Sequence, residues 1–288
     1  MKGIRTFDKD KALEAMLNQT RARSEEISSV GRDGYAEYDR LGYVPYPEVH
    51  EATAKTLEYA YADWCLARFA EELDVYKKRS QNYRNLFYPE KGFMWAKDTN
   101  GKWRDNFDAT EWGGPFTEGC SWHWTWSVFH DPEGLSSLLG GHELMAGRLD
   151  SMFVAPNTFN YGTYGFVIHE IAEMVALNMG QYAHGNQPVQ HAIYLYNYVG
   201  QPWKAQYHTR NVMNKLYNSG PEGYCGDEDN GQTSAWYVFT ALGFYPVCPG
   251  ASEYVLGSPL FPKATLSLPG EKTFTIDAEG VSDTNCYI

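Results

Sequence analysis

The stretch Thr56-Leu57-Glu58-Tyr59-Ala60-Tyr61-Ala62-Asp63-Trp64-Cys65-Leu66-Ala67-Arg68-Phe69 carries the clearest periodicity in the chain. Leu57, Ala60, Tyr61, Trp64 and Ala67 recur at helical spacing and share one stripe of a helix predicted over residues 56–73. Outward from it, the same reading gives a polar helix over 11–23 and a segment over 80–86 that closes a hairpin. Further helices are predicted over 121–129, 135–139, 166–179, 189–198, 203–216 and 234–242. Gly180 and Gly243 follow two of these runs, where a left-handed C-terminal cap favours glycine. Long loops rich in Gly, Pro, Asn and Asp, over 88–119, 155–165 and 219–232, join the helices. That alternation predicts a mainly α chain, a helical toroid with its functional loops at the rim. Near the end the period changes from helical to alternating. Residues 265–268 and 273–277 flank Pro269-Gly270 as a β-hairpin, and 285–288 read as a strand cut short. We therefore expect a helical domain over 1–255 and a β segment over 256–288.

Composition narrows the function. The 288 residues carry a net charge of −12, which argues against nucleic acid and against an anionic membrane surface. With 9 Trp, 22 Tyr and 14 Phe, the chain suits a neutral polar ligand with apolar faces, such as a sugar, although a large aromatic core gives the same composition. The 5 cysteines, an odd number with no CxxC spacing, argue against a zinc knuckle and a dense disulfide framework. No apolar run approaches a membrane span, and the first residues, Met1 to Asp8, lack the apolar core of a signal peptide.

Three loops hold candidate chemistry. In Gly114-Pro115-Phe116-Thr117-Glu118-Gly119-Cys120-Ser121-Trp122-His123-Trp124-Thr125-Trp126 one carboxylate stands among three tryptophans. Apolar surroundings raise a carboxyl pKa, as a general acid near neutral pH requires. The competing reading is a glutamate favoured by a helix N-terminus. Trp122 and His123 are the adjoining candidate ligand contacts. In Cys225-Gly226-Asp227-Glu228-Asp229-Asn230-Gly231-Gln232-Thr233-Ser234, Asp227 and Asp229 can share a water or a cation, or form only a solvated turn before an N-cap at Thr233 or Ser234. Counted as an EF-hand loop from Asp227, position 12 is Val238 and not Glu, so that reading fails. In His184-Gly185-Asn186-Gln187-Pro188 the amide oxygens of Asn186 and Gln187 suit a hard cation, or simply satisfy backbone groups. The pair His169-Glu170 opens a further helix. Two separated carboxylate sites with aromatics between them fit glycoside hydrolysis.

The runs Thr117-Glu118-Gly119, His184-Gly185-Asn186-Gln187-Pro188, Tyr196-Asn197-Tyr198-Val199-Gly200-Gln201-Pro202-Trp203, Cys225-Gly226-Asp227-Glu228-Asp229-Asn230-Gly231-Gln232, Leu242-Gly243-Phe244-Tyr245-Pro246 and Gly257-Ser258-Pro259-Leu260-Phe261, in this order, closely resemble the exo-α-mannosidases of glycoside hydrolase family 92. The resemblance implies part of an (α/α)6 toroid, preceded in the family by an N-terminal β-sandwich that this sequence does not contain. It implies an inverting, Ca²⁺-dependent, extracytoplasmic enzyme acting on a mannose-containing oligosaccharide. By the same resemblance Glu118 is the general acid, and Asp227 and Asp229 form the base, with Asp229 the proton acceptor. His169 and Glu170 read the neighbouring sugar in α-1,2-specific members, and Asn186 and Gln187 lie in the calcium loop. The expectation that competes with it is a helical carbohydrate-binding domain without catalysis.

Overall fold

A computed structural model describes residues 6–27, 29–70 and 73–288. The chain divides into two compact units, one of Met1–Leu139 with Thr158–Ile171, the other of Gly140–Asn157 with Ala172–Ile288. The β segment beyond residue 255 falls in the second unit.

The first unit is built on α1 (Lys9–Gln19), α2 (Tyr35–Leu41), α3 (Ala52–Phe69), α4 (Asp74–Arg79), the strand pair β1 (Phe87–Tyr88) and β2 (Phe93–Met94), α5 (Ser121–Trp124) and α6 (Pro132–Leu139). The Asp8 carboxylate starts α1 by accepting the Asp10 and Lys11 amides. Helix α3 forms where the aromatic stripe predicts it, but its buried face is rotated. Thr53, Thr56, Leu57, Ala60, Asp63 and Leu66 are fully buried, whereas Tyr61 and Trp64 are half-buried and pack edgewise and tilted against Phe129 and His130. The rotation is possible because Asp63 is not left alone. Arg32 Nη2 lies 2.7 Å from its carboxylate and the Tyr38 hydroxyl donates to it at 3.0 Å. A buried charge needs such partners. Tyr38, Val44 and Ala52 form the core beneath this helix. The helix expected to reach residue 73 includes Glu71 and Glu72, which lie outside the described residues, as do residues 1–5 of the expected leaderless N-terminus.

The second unit takes α7 (His142–Val154), the larger part of α8 (His169–Leu177), α9 (Gln187–Gln190), α10 (Pro202–Leu216) and α11 (Gln232–Leu242), then β3 (Phe244–Tyr245), β4 (Val255–Leu256), β5 (Lys263–Leu268) and β6 (Lys272–Asp277). Tyr182, Tyr194, Tyr196, Val212 and Trp236 are wholly buried, and Tyr194 stacks on Tyr245 with ring centres 4.6 Å apart. Gly243 ends α11 in the left-handed region as expected (φ 88). At the end of α8 that place belongs to Asn178 (φ 49), with Gly180 two residues later. The expected helix over 189–198 is α9 followed by a 3₁₀ stretch, Ala192–Asn197, and only four residues of the expected 121–129 helix form. The hairpin is as predicted, β5 pairing antiparallel with β6 from Lys263↔Asp277 to Leu268↔Lys272. All five cysteines are free thiols. Among the described residues no helix is long and apolar enough to cross a membrane.

Candidate functional site

In the first unit, the Glu118 loop is fastened to the start of α3. The first amides of an α-helix have no partner within it. Here the Thr53 and Ala54 amides donate to the Pro115 carbonyl at 3.0 and 3.1 Å, and the Glu51 amide to the Gly114 carbonyl at 2.8 Å. Gly113 N–H donates to the Gly119 carbonyl at 3.0 Å and closes the loop. Trp124 Nε1–H ties it from the other side, donating to the Thr117 carbonyl at 2.8 Å. Residues 113–116, 119 and 120 are buried, but Glu118 itself is exposed. Its backbone is left-handed (φ 42), and its amide donates to the Tyr164 hydroxyl oxygen at 2.8 Å.

The neighbours expected to enclose Glu118 serve other ends. Trp124 and Trp126 are buried in the core. Trp122 is half-buried and meets Phe93 edge-on at 4.8 Å. His123, read from sequence as a sugar contact, is 2% exposed. Its Nδ1 accepts the Cys120 amide at 3.2 Å and completes a capping box with Cys120 at the start of α5. The imidazole thus braces the helix start, with little of it exposed.

His169 and Glu170 do come together. His169 is exposed, and its Nε2 lies 3.1 Å from a Glu170 carboxylate oxygen. The other oxygen, Oε2, is buried with no hydrogen-bond partner among the described residues. A buried carboxylate oxygen in that state is a ready acceptor for a ligand hydroxyl. Tyr164, absent from the sequence reading, lies within electrostatic reach of Glu118, Glu51 and Glu170. Burial first, then these carboxylates, push its phenol above the usual tyrosine range.

In the second unit, two of the motif loops meet backbone to backbone. A Cβ at Gly226 would stand 2.5 Å from the Gly185 carbonyl oxygen, and one at Gly185 would stand 2.8 Å from the Cys225 carbonyl oxygen. Only glycine permits that approach. Beside it lies Glu173, whose Oε2 would be 2.9 Å from a Cβ at Gly185 and 2.8 Å from one at Gly226. Sequence reasoning missed Glu173, although its position three residues after Glu170 in α8 was a usable signal.

The three consecutive acids divide their labour. Glu228 accepts the Gly231 amide at 2.7 Å and the Ser234 amide at 3.2 Å and so braces the start of α11; the Ser234 hydroxyl first, then these amides, hold its carboxyl below the usual range. Asp227 and Asp229 remain exposed. The Asp227 carbonyl accepts from Thr233 Oγ1 at 2.9 Å, and Thr233 in turn accepts from Gln190 at 3.2 Å. Asp229, Asn230 and Gly231 are successively left-handed (φ 47, 56 and 95).

The candidate cation loop joins the same place. Gln187 Nε2 donates to an Asp229 carboxylate oxygen, and Asn186 caps α9, its Oδ1 accepting the Gln187 amide at 3.1 Å. His184 is wholly buried between the hydroxyls of Tyr182 and Tyr217, each 2.7 Å from a ring nitrogen, and burial drives its pKa down to about 3. With both nitrogens engaged, it is no metal ligand. The donors left are amide and carboxylate oxygens, a set that suits Ca²⁺ and not Zn²⁺. Among the described residues, no three His, Cys, Asp or Glu side chains gather as a metal cluster.

Each unit thus carries loop-borne carboxylates on a mainly helical frame. The sequence matches the glycosyl hydrolase family 92 catalytic domain over residues 1–288, and the chain belongs to that family. It is 75% identical to a family 92 inverting mannosidase from Bacteroides thetaiotaomicron, covering 100% of this chain and 40% of that one with a TM-score of 0.88. A family 92 α-mannosidase from the same organism is 34% identical, with 100% and 36% covered and a TM-score of 0.85, and it has also been solved with mannoimidazole. An uncharacterized secreted glycosidase of Arthroderma benhamiae is 24% identical over 91% of this chain and 36% of its own length. The chain thus spans between 36% and 40% of the length of these relatives. The matches bear out the expected fold class, mainly α and part of an (α/α)6 toroid.

Proposed function

We propose that this chain is the acid- and base-bearing part of an inverting exo-α-mannosidase acting on α-1,2-linked mannose of an N-glycan or mannan. The observation that carries the reading is the match, over the whole of this chain, to an inverting mannosidase at 75% identity. Glu118 donates its proton to the glycosidic oxygen as the C–O bond breaks. A water attacks the anomeric carbon from the opposite face and gives its proton to Asp229, with Asp227 beside it. Inversion of this kind sets the two carboxyls roughly 6.5–9.5 Å apart, leaving room for the water. His169 and the unpartnered Glu170 oxygen bind the hydroxyls of the neighbouring sugar, with Trp122 as an apolar edge. Asn186 and Gln187 would hold Ca²⁺, which when bound grips the cis 2- and 3-hydroxyls of mannose and favours a flattened ring. An N-terminal β-sandwich completes the pocket, and the enzyme works outside the cytoplasm.

The test is hydrolysis of α-1,2-mannobiose with Ca²⁺, followed by proton NMR of the first product. The expected first product is β-mannose; α-mannose would rule out the inverting assignment. One observation favours a second reading, a carbohydrate-binding helical domain without catalysis: Glu118 is exposed and not enclosed among its tryptophans. Replacing Glu118 with Gln separates the two. Hydrolysis of mannobiose should fall by about 10²–10⁴-fold in the enzyme, whereas sugar binding in a module should not change.

A further inference from the structure

The bonds that fasten the 113–119 loop include one to the backbone of Glu118 itself. Gly114 and Pro115 are held by α3, Thr117 by Trp124, and Gly113 by Gly119. Glu118 is held through its amide, which donates to the Tyr164 hydroxyl at 2.8 Å. The residue sits at φ 42, a conformation that L-residues with a side chain occupy at a cost unless their surroundings impose it. Tyr164 belongs to a 3₁₀ turn, Gly162–Tyr164, seated directly on the loop. Thr163 Oγ1 accepts the Gly114 amide at 2.6 Å, and a Cβ at Gly113 would lie 2.9 Å from the Tyr164 ring.

A phenol oxygen that accepts an N–H keeps its own O–H to donate. Burial, and then the negative charges of Glu118, Glu51 and Glu170, favour the protonated phenol. The hydroxyl is therefore a neutral acceptor for the Glu118 amide, holding a backbone in the left-handed region. We propose that Tyr164 is a positioning residue for the general acid: its hydroxyl holds the Glu118 backbone in the left-handed conformation and so sets the direction in which the carboxyl presents its proton. This rests on the reading of Glu118 as the acid.

Leaving-group chemistry separates aim from mere structure. A sugar alkoxide leaves only if it is protonated, whereas fluoride leaves without help. In the full-length enzyme, Tyr164→Phe should lower kcat/KM on α-1,2-mannobiose by about 10- to 100-fold, the scale of a misplaced catalytic group. On α-mannosyl fluoride the same variant should stay within about threefold, since no acid is required. Tyr164→His keeps a ring and an acceptor nitrogen. It should recover part of the mannobiose activity, and it carries the comparison if the Phe variant does not fold. Equal losses on both substrates, or no loss on either, overturn the proposal. Glu118→Gln, run on the same pair, tells the two failures apart. A split for Glu118→Gln without one for Tyr164→Phe removes only the role of Tyr164. The absence of a split for Glu118→Gln removes the acid assignment and this inference with it.

Discussion

Both acid loops are anchored at a helix N-terminus, but with different atoms. The 113–119 loop offers backbone carbonyls, those of Gly114 and Pro115, to the free amides of α3. The 225–231 loop offers a side chain, the Glu228 carboxylate, to the Gly231 and Ser234 amides at the start of α11. The consequence lies in what each anchor consumes. Carbonyl anchoring spends no side chain of the first loop on the helix start, and Glu118 is exposed on an otherwise largely buried segment. Carboxylate anchoring uses up the middle acid and leaves the two flanking it exposed. In the run of three acids the middle one braces the next helix while the two beside it face solvent, and in the first loop the lone glutamate faces solvent too.

The comparison breaks most severely where its supports are buried. Arg32→Met removes the cation that faces Asp63 inside α3, the helix on which the Glu118 loop hangs. Arg32 and Asp63 are 4% and 0% exposed, and removal of one partner of a buried pair costs about 3–5 kcal/mol. Urea denaturation followed by tryptophan fluorescence should show that loss. A change below about 1 kcal/mol would mean that protonation or water already compensates Asp63. Next in size is Gly226→Ala. The added methyl meets backbone atoms of Gly185 at 2.5 and 2.6 Å, and backbone cannot swing aside as a side-chain tip can. Overpacking of this kind costs about 1–3 kcal/mol. Activity should fall along with it, because both Asp229 and its partner Gln187 ride on the displaced loops.

These two sites also mark what could be read from sequence. The helix carrying Asp63 was legible because its apolar residues keep a helical period. Its rotation was not, since a buried aspartate becomes tolerable only through distant partners, Arg32, 31 positions earlier, and Tyr38, 25 positions earlier. Helix α7 went unread because Gly140, Gly141 and Gly147 interrupt the signal, although Met145, Leu149 and Met152 are buried at helical spacing. The motif loops were legible as candidate chemistry from their residue types, but the roles within them were not. Nothing in a run of Asp, Glu and Asp says which acid caps the following helix, and nothing local to His123 says that it turns back on Cys120. Tyr164 and Glu173 were missed for the same reason: each matters through a partner more than 10 residues away.

The mildest change sharpens the comparison most. Glu228 is depressed below the ordinary glutamate range by its bonds from Ser234 and Gly231. A carboxyl whose folded pKa lies below its unfolded value contributes stability above the unfolded pKa and loses it as pH falls through the folded one. Glu228→Gln keeps the shape and one acceptor oxygen but removes the charge. Its melting temperature should therefore be slightly lower than that of the parent at neutral pH, and the gap should close on acidification below the ordinary glutamate range. Melting curves recorded by circular dichroism between neutral and acidic pH would measure this directly. If the gap stays constant with pH, charge is not what braces α11, and the distinction between a structural Glu228 and the exposed Asp227 and Asp229 loses its physical basis. If Asp227→Asn or Asp229→Asn gives the same closing gap, the division of labour among the three acids is wrong in its assignment, and the capping carboxylate lies elsewhere in the run.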